Sequence, residues 1–120
     1  MAIKLKLEGK TVIVIGGGQK AYQLMAGFID KGAIIWVISR DFIGVVQRLG
    51  EAGKVALLRT EIKDAEAFVD SLNPKPYVLL AATDDSSLNL ELAKAAKRYG
   101  SLVYAIDNPS LRDFALSSEV

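Results

Sequence analysis

Residues Val12–Ala21 read VIVIGGGQKA, and this stretch constrains the fold more than any other. Thr11–Ile15 is a short, nearly all-apolar run rich in β-branched residues, the composition of a buried strand. Three glycines follow at once, then a segment with helical periodicity. Gly16, Gly18 and Ala21 fit G-x-G-x-x-G/A, the fingerprint of a dinucleotide-binding turn between a strand and a helix. Each small residue has a physical job there. Gly16 permits the sharp turn. Gly18 has no Cβ, so a pyrophosphate can approach the backbone. Ala21 lets the helix pack close to the strand. The phosphates would rest on the free N–H groups and positive dipole end of that helix. The bland alternative is a glycine turn that merely joins strand to helix. The position between a strand pattern and a helix pattern favours nucleotide binding.

Composition narrows the chemistry. With 120 residues, 51% of them apolar, the chain is read as one domain over 1–120 with a core of its own. It has no cysteine, hence no disulfide framework and no thiolate chemistry. It has no histidine, which excludes Ser-His-Asp catalysis and His-ligated zinc, and no metal site is expected. A net charge of +1 with both signs interspersed gives no signature of nucleic-acid binding. No apolar run approaches membrane-spanning length, and Met1–Gly9 does not read as a signal peptide. The expectation is a cytoplasmic protein without a membrane or nucleic-acid partner.

Strand and helix patterns alternate along the chain. After Thr11–Ile15, residues Gln19 to Lys31 read as a helix, with Tyr22, Met25, Ala26 and Ile29 on one face and Gly32 placed to end it. Ile34–Ile38 is a second buried strand. Phe42 to Ala52 reads as a helix, with Asp41 expected as its N-cap. Lys54–Arg59 is a third strand, and Lys63–Leu72 a helix stopped by Asn73, Pro74 and Pro76. Tyr77–Ala82 is a fourth strand. Ser86–Tyr99 is the clearest helix, with Leu88, Leu92, Ala95 and Tyr99 on one face. Ser101–Ile106 is a fifth strand, followed by a loop and a short segment around Leu111–Leu116. A sixth strand is not expected. Apolar strands alternating with helices imply an α/β fold, a doubly wound Rossmann-type parallel sheet covered on both sides, in the order 3-2-1-4-5.

In such a sheet the ligand lies beyond the carboxyl ends of the strands, at the switch point between the first and fourth. Gly16, Gly17, Gly18, Gln19 and Lys20 project there after the first strand, Thr83, Asp84 and Asp85 after the fourth, and Asp107, Asn108 and Pro109 after the fifth. Thr83 is a candidate contact for the cofactor's ribose or pyrophosphate. For Asp84 and Asp85 turn chemistry is the favoured reading, one of them capping the long helix, with Asp84 kept as a cofactor contact. At the end of the second strand an acidic residue holds the ribose 2′-OH of NAD, whereas Arg accepts the 2′-phosphate of NADP. Ser39 and Arg40 suit a phosphate; Asp41 could instead serve the hydroxyls. Arg40 reads equally well as a solvated surface charge. Asp107 faces the cleft as a candidate general base, its affinity for protons raised by partial burial or lowered by loop amides. It is equally placed to form an Asx-type turn before Pro109.

The chain resembles the N-terminal domain of siroheme synthase, the precorrin-2 dehydrogenase family, from Leu5 to about Phe114. The resemblance is carried by LKLEGKTVIVIGGG (Leu5–Gly18), DKGAIIWVIS (Asp30–Ser39), LLAATDDSSLN (Leu79–Asn89) and LVYAIDNPSLRDF (Leu102–Phe114). It implies oxidation of precorrin-2, a tetrapyrrole, to sirohydrochlorin with NAD; some members also insert ferrous iron. It implies that Asp107 matches the family's essential aspartate and that Gly16–Gly18 and Thr83 line the cofactor site. The nicotinamide would accept the hydride and Asp107 the proton. The chain departs from the family pattern at Gln23 and Leu24, where basic residues are usual, at Tyr104, where Asn often stands, and after Asp113-Phe114, where Pro is missing. The family continues into a dimerisation region and a helical domain, and an uncovered sheet edge or cleft would favour a homodimer. Lys20, Arg40 and Arg112 are the scattered cations available to the substrate's carboxylates. Iron chelation is disfavoured, because carboxylates alone are poor partners for selective iron binding. A non-catalytic NAD(P)-binding module, regulatory or redox-sensing, is the competing expectation.

Overall fold

The computed structural model describes residues 6–115. Expectations for residues 1–5 and for Leu116 lie outside them. Five strands form one parallel sheet: β1 Thr11–Ile15, β2 Ile34–Ser39, β3 Ala56–Arg59, β4 Val78–Ala81 and β5 Leu102–Ala105. Their order is β3-β2-β1-β4-β5, as the alternation and the position of the glycine turn predict. The helices are α1 Gln19–Met25, α2 Gly44–Glu51, α3 Ala65–Ser71 and α4 Ser86–Arg98. Among the described residues no helix is long and apolar enough to cross a membrane.

Alternation along the strands sorts the core into two layers. Val12 and Val14 of β1, Ile35 and Val37 of β2 and Val78 and Leu80 of β4 face α1 and α2, packing on Leu24, Met25 and Val46. Ile13, Ile15, Leu79, Ala81, Val103 and Ala105 face α3 and α4, packing on Val69, Leu92, Ala93 and Ala96. Small residues along α4 let it lie close to β4 and β5.

The second layer is incomplete. Ile34, Trp36 and Leu58 share the face of Ile38, yet are 53%, 41% and 42% exposed. Of the helices on this face, α4 packs on β4, β5 and α3, and α3 meets the sheet around Ile38, so among the described residues these three side chains stay largely open. The expectation of cover on both sides fails here, because an apolar strand records that its faces avoid water, not what covers them.

Three helix expectations also shift. The first helix gives way after Met25 to a single 3-10 turn, Ala26–Phe28, and Asp30 and Gly32 take positive φ of 60° and 85°. Its buried face is Ala21, Leu24, Met25 and Phe28, one position off the expected stripe, because Ala21 is pressed against the glycine turn. On α4 the buried residues are Asn89, Leu92, Ala93, Ala95 and Ala96, so Leu92 and Ala95 of the expected face are buried, Leu88 is half-buried, and Tyr99 is exposed and donates its hydroxyl to Asp70. Asp41 does not cap α2, whose N-cap is Ile43; Asp41 pairs with Arg59 instead, at 3.6 Å. The caps of α3 and α4 are Asp64 and Asp85, whose carboxylates accept from Ala67 N–H at 3.0 Å and Leu88 N–H at 3.1 Å.

No sixth strand forms among the described residues, but residues 109–114 fold back on β5. Tyr104 and Arg112 form one antiparallel bridge. Asp113 accepts from Val103 N–H at 2.8 Å and donates its own N–H to Val103 O at 2.8 Å, while Lys97 pairs with it at 2.5 Å. This segment closes the free edge of β5. Leu79 of β4 lies in the layer that faces α3 and α4, with no exposure. Leu79→Ala is expected to lower stability by about 2–5 kcal/mol, read as a fall in the urea midpoint at unchanged slope; a loss below ~1 kcal/mol would contradict the two-layer core.

Candidate dinucleotide site

The carboxyl ends of the strands open into a cavity of about 750 Å³. Gly16, Gly17, Gly18, Gln19, Lys20, Ser39, Arg40, Thr83 and Asp84, the nine residues expected as cofactor contacts, all line it. Sequence reasoning missed the loop after β3, which adds Thr60, Glu61 and Ile62, and missed Leu88 on α4. The signal was present, since the rule that placed the other loops also places whatever follows β3. Ile38, Ile62 and Leu88 give this end of the cavity an apolar lining suited to a flat base.

The three glycines divide the work. Gly16 has φ +130°, and a Cβ on it would stand 2.4 Å from Ala82 O. A Cβ on Gly17 would stand 2.1 Å from Asp41 O. These two therefore let β1 run against the ends of β4 and β2, and Gly17 O accepts from Ile43 N–H at 2.9 Å. Gly18 differs: a Cβ there would meet nothing within 4 Å. The space above Gly18 is open, as the approach of a pyrophosphate requires. No side chain caps α1, whose bonding begins with Tyr22 N–H to Gly18 O at 3.0 Å, so the amides of Gln19, Lys20 and Ala21 precede the ladder. The residues present thus fit a dinucleotide.

The ribose end carries both signs. Arg40 reaches Glu61 at 3.8 Å, both side chains more than half exposed. Arg59 donates to Arg40 O at 2.7 Å and pairs with Asp41. A 2′-phosphate would meet Arg40 together with two carboxylates, whereas ribose hydroxyls find acceptors in both.

Asp107 lies at the carboxyl end of β5, outside the residues that line the cavity. It is exposed, not partly buried as one expectation had it. The Asx turn before Pro109 belongs to Asn108, whose Oδ1 accepts from Ser110 N–H at 3.2 Å and Ser110 Oγ at 2.6 Å. Asp107 is thereby left for another partner: its Oδ2 accepts from Asn89 Nδ2 at 3.2 Å. Asn89 also holds Thr83, whose hydroxyl donates to Asn89 Oδ1 at 2.7 Å and accepts from Asp85 N–H at 3.1 Å. Arg112 donates to Ala105 O at 3.2 Å and Ile106 O at 2.7 Å, so it braces the backbone before Asp107.

Fold and cavity together define a dinucleotide-binding protein of the Rossmann class. The chain belongs to the family whose model is described as "Putative NAD(P)-binding", which matches residues 3–118. It is 33% identical over 117 residues to a siroheme synthase of Methylococcus capsulatus, covering 95% of this chain and 23% of that protein. It is 32% identical over 120 residues to a siroheme synthase of Nitrosococcus oceani, covering 24% of that protein. The chain thus spans about a quarter of the length of these relatives. The solved structure of "SirC, precorrin-2 dehydrogenase" is similar over 90% of this chain and 50% of that one, with a TM-score of 0.72 and 25% identity.

The glycine geometry separates folding from binding. Gly18→Ala is expected to leave the melting temperature within about 3 °C of the parent, or to raise it, and to weaken NAD binding at least ~10-fold in calorimetric titration. Gly16→Ala is expected to lower stability by about 1–3 kcal/mol. Equal binding loss without any stability difference between the two would contradict this division.

Proposed function

We propose that the chain binds NAD in this cavity and carries out the dehydrogenation of precorrin-2 to sirohydrochlorin. The observation that carries the reading is the juxtaposition of an open glycine cradle after β1 and a tethered carboxylate, Asp107, after β5, on one end of one sheet. The siroheme synthase relatives and the likeness to SirC support it. The substrate loses two electrons and two hydrogens, one hydrogen as hydride and the other as a proton. NAD, when bound, supplies the hydride acceptor. Asp107 takes the proton at the carboxylate oxygen that Asn89 does not hold. Gly18 and the first amides of α1 hold the pyrophosphate, with Lys20 beside them at the rim, and Ser39 and Thr83 border the riboses. Asp41 and Glu61 favour the ribose hydroxyls of NAD over the phosphate of NADP. A cytoplasmic location and a homodimer go with this reading.

One observation favours a second reading, a non-catalytic NAD(P)-binding module: Asp107 is not among the residues lining the cavity. Absorbance-monitored turnover of precorrin-2 with NAD or NADP separates the two. The dehydrogenase reading expects sirohydrochlorin from the parent chain and a loss of at least ~100-fold in Asp107→Ala. Tight cofactor binding with no sirohydrochlorin from either cofactor would favour the module. For the cofactor itself, NAD is expected to bind more tightly than NADP. Arg40→Ala is expected to weaken NADP about 5-fold, a cost of ~1 kcal/mol, and NAD by less; an equal effect on both would remove Arg40 from the 2′ position.

A further inference from the structure

Asn89 is a fully buried polar residue on the apolar stripe of α4. An Asn amide has two acceptor sites and two donors, and Asn89 uses all four. Its Oδ1 accepts from Thr83 N–H at 3.0 Å and from Thr83 Oγ1 at 2.7 Å. Its Nδ2 donates to Thr83 O at 3.0 Å and to Asp107 Oδ2 at 3.2 Å. The orientation of the amide is forced. A backbone N–H can only donate and a backbone carbonyl can only accept, so Thr83 fixes oxygen on one side and nitrogen on the other. The nitrogen is then the atom that faces Asp107.

Three of the four bonds suffice to hold the loop after β4. The fourth crosses to the loop after β5 and reaches the candidate base. An exposed aspartate samples several side-chain rotamers; an anchor on one oxygen selects among them and leaves the other oxygen to solvent. We propose that Asn89 is the positioning residue for Asp107, setting its carboxylate in register with the cofactor side of the cavity through Thr83. The proposal rests on the reading of Asp107 as the base. A misplacement of ~1 Å at a reacting group can cost about 100-fold in rate, so the anchor belongs to the chemical step rather than to cofactor affinity.

Asn89→Asp tests this with little change in shape. It keeps an oxygen for the Thr83 donors and replaces the amide nitrogen that holds Asp107 with oxygen. The expected result is a fall of at least ~10-fold in kcat for precorrin-2 oxidation, with KM for NAD within about 3-fold of the parent. In an Asp107→Ala background the same substitution should cost less than about 2-fold, since the two positions act as one unit. Equal losses in both backgrounds, or a loss confined to KM for NAD, would overturn the proposal. A second measurement does not depend on Asn89→Asp folding or on turnover. In 15N-resolved spectra the side-chain amide pair of Asn89 should move on Asp107→Ala; an unmoved pair would overturn the anchor. Full turnover by Asp107→Ala would instead overturn the base reading, whatever the Asn89 signals do. Loss in Asp107→Ala with kcat unchanged in Asn89→Asp would overturn the positioning role alone.

Discussion

The site depends on backbone packed against backbone at the carboxyl end of β1. Gly16 lies under the carbonyl of Ala82 and Gly17 under that of Asp41, at separations where no side chain fits. This contact draws the ends of β4 and β2 against the first turn, and their loops then face the same space. Hydrogen bonds complete the junction: Gly16 N–H to Ile38 O and Ala82 N–H to Ile15 O, both at 2.9 Å. The steric demand of these two glycines makes the cavity; the third glycine leaves it open.

On the other half of the switch point a side chain does the joining. Past the backbone bond of Ile106 N–H to Ala81 O at 3.0 Å, the loops after β4 and β5 are joined through a side chain. They are bridged by one buried amide whose every hydrogen-bonding capacity is used. A buried polar group is costly unless it is satisfied, so Asn89 ties the two loops in one arrangement. Arg112 and Asp113 extend the same bracing from the outer side, one on the carbonyls before Asp107 and one on the β5 edge. The cofactor side and the carboxylate side are therefore built by different means, steric closeness in one and saturated hydrogen bonding in the other.

The parts legible in the sequence are those governed by local rules. Strand runs such as Val78–Ala81 are apolar throughout, and the loop that follows each strand projects toward the switch point by topology alone. All nine expected cofactor contacts therefore line the cavity. Helix faces were less legible. On α1 the apolar residues are numerous enough to suit two adjacent stripes, and tertiary contact at Ala21 selects one. Asp41 looked like a cap because it precedes a helical pattern, but α2 begins at Gly44 and Arg59 supplies a charge partner. Asp107 had two readings, and the Asx turn of Asn108 removes one of them. Asn89 carried a signal that was not used: a polar residue three and four positions before Leu92 and Ala93 on a buried face requires partners, and those partners define the site. The bare strip of Ile34, Trp36 and Leu58 had no local signal, because exposure of an apolar strand depends on where distant helices land.

In the proposed reading, one end of this sheet holds NAD over Gly18 with Asp107 tethered on the same side. A crystal structure of the chain with NAD tests that most directly. The pyrophosphate is expected within hydrogen-bonding distance of the Gly18–Lys20 backbone, the adenosine ribose between Ser39 and Glu61, and the nicotinamide on the side of Thr83 and Asp107, with the Asn89–Asp107 bond intact. A dinucleotide seated elsewhere, or a nicotinamide directed away from Asp107 with that bond broken, would contradict this reading.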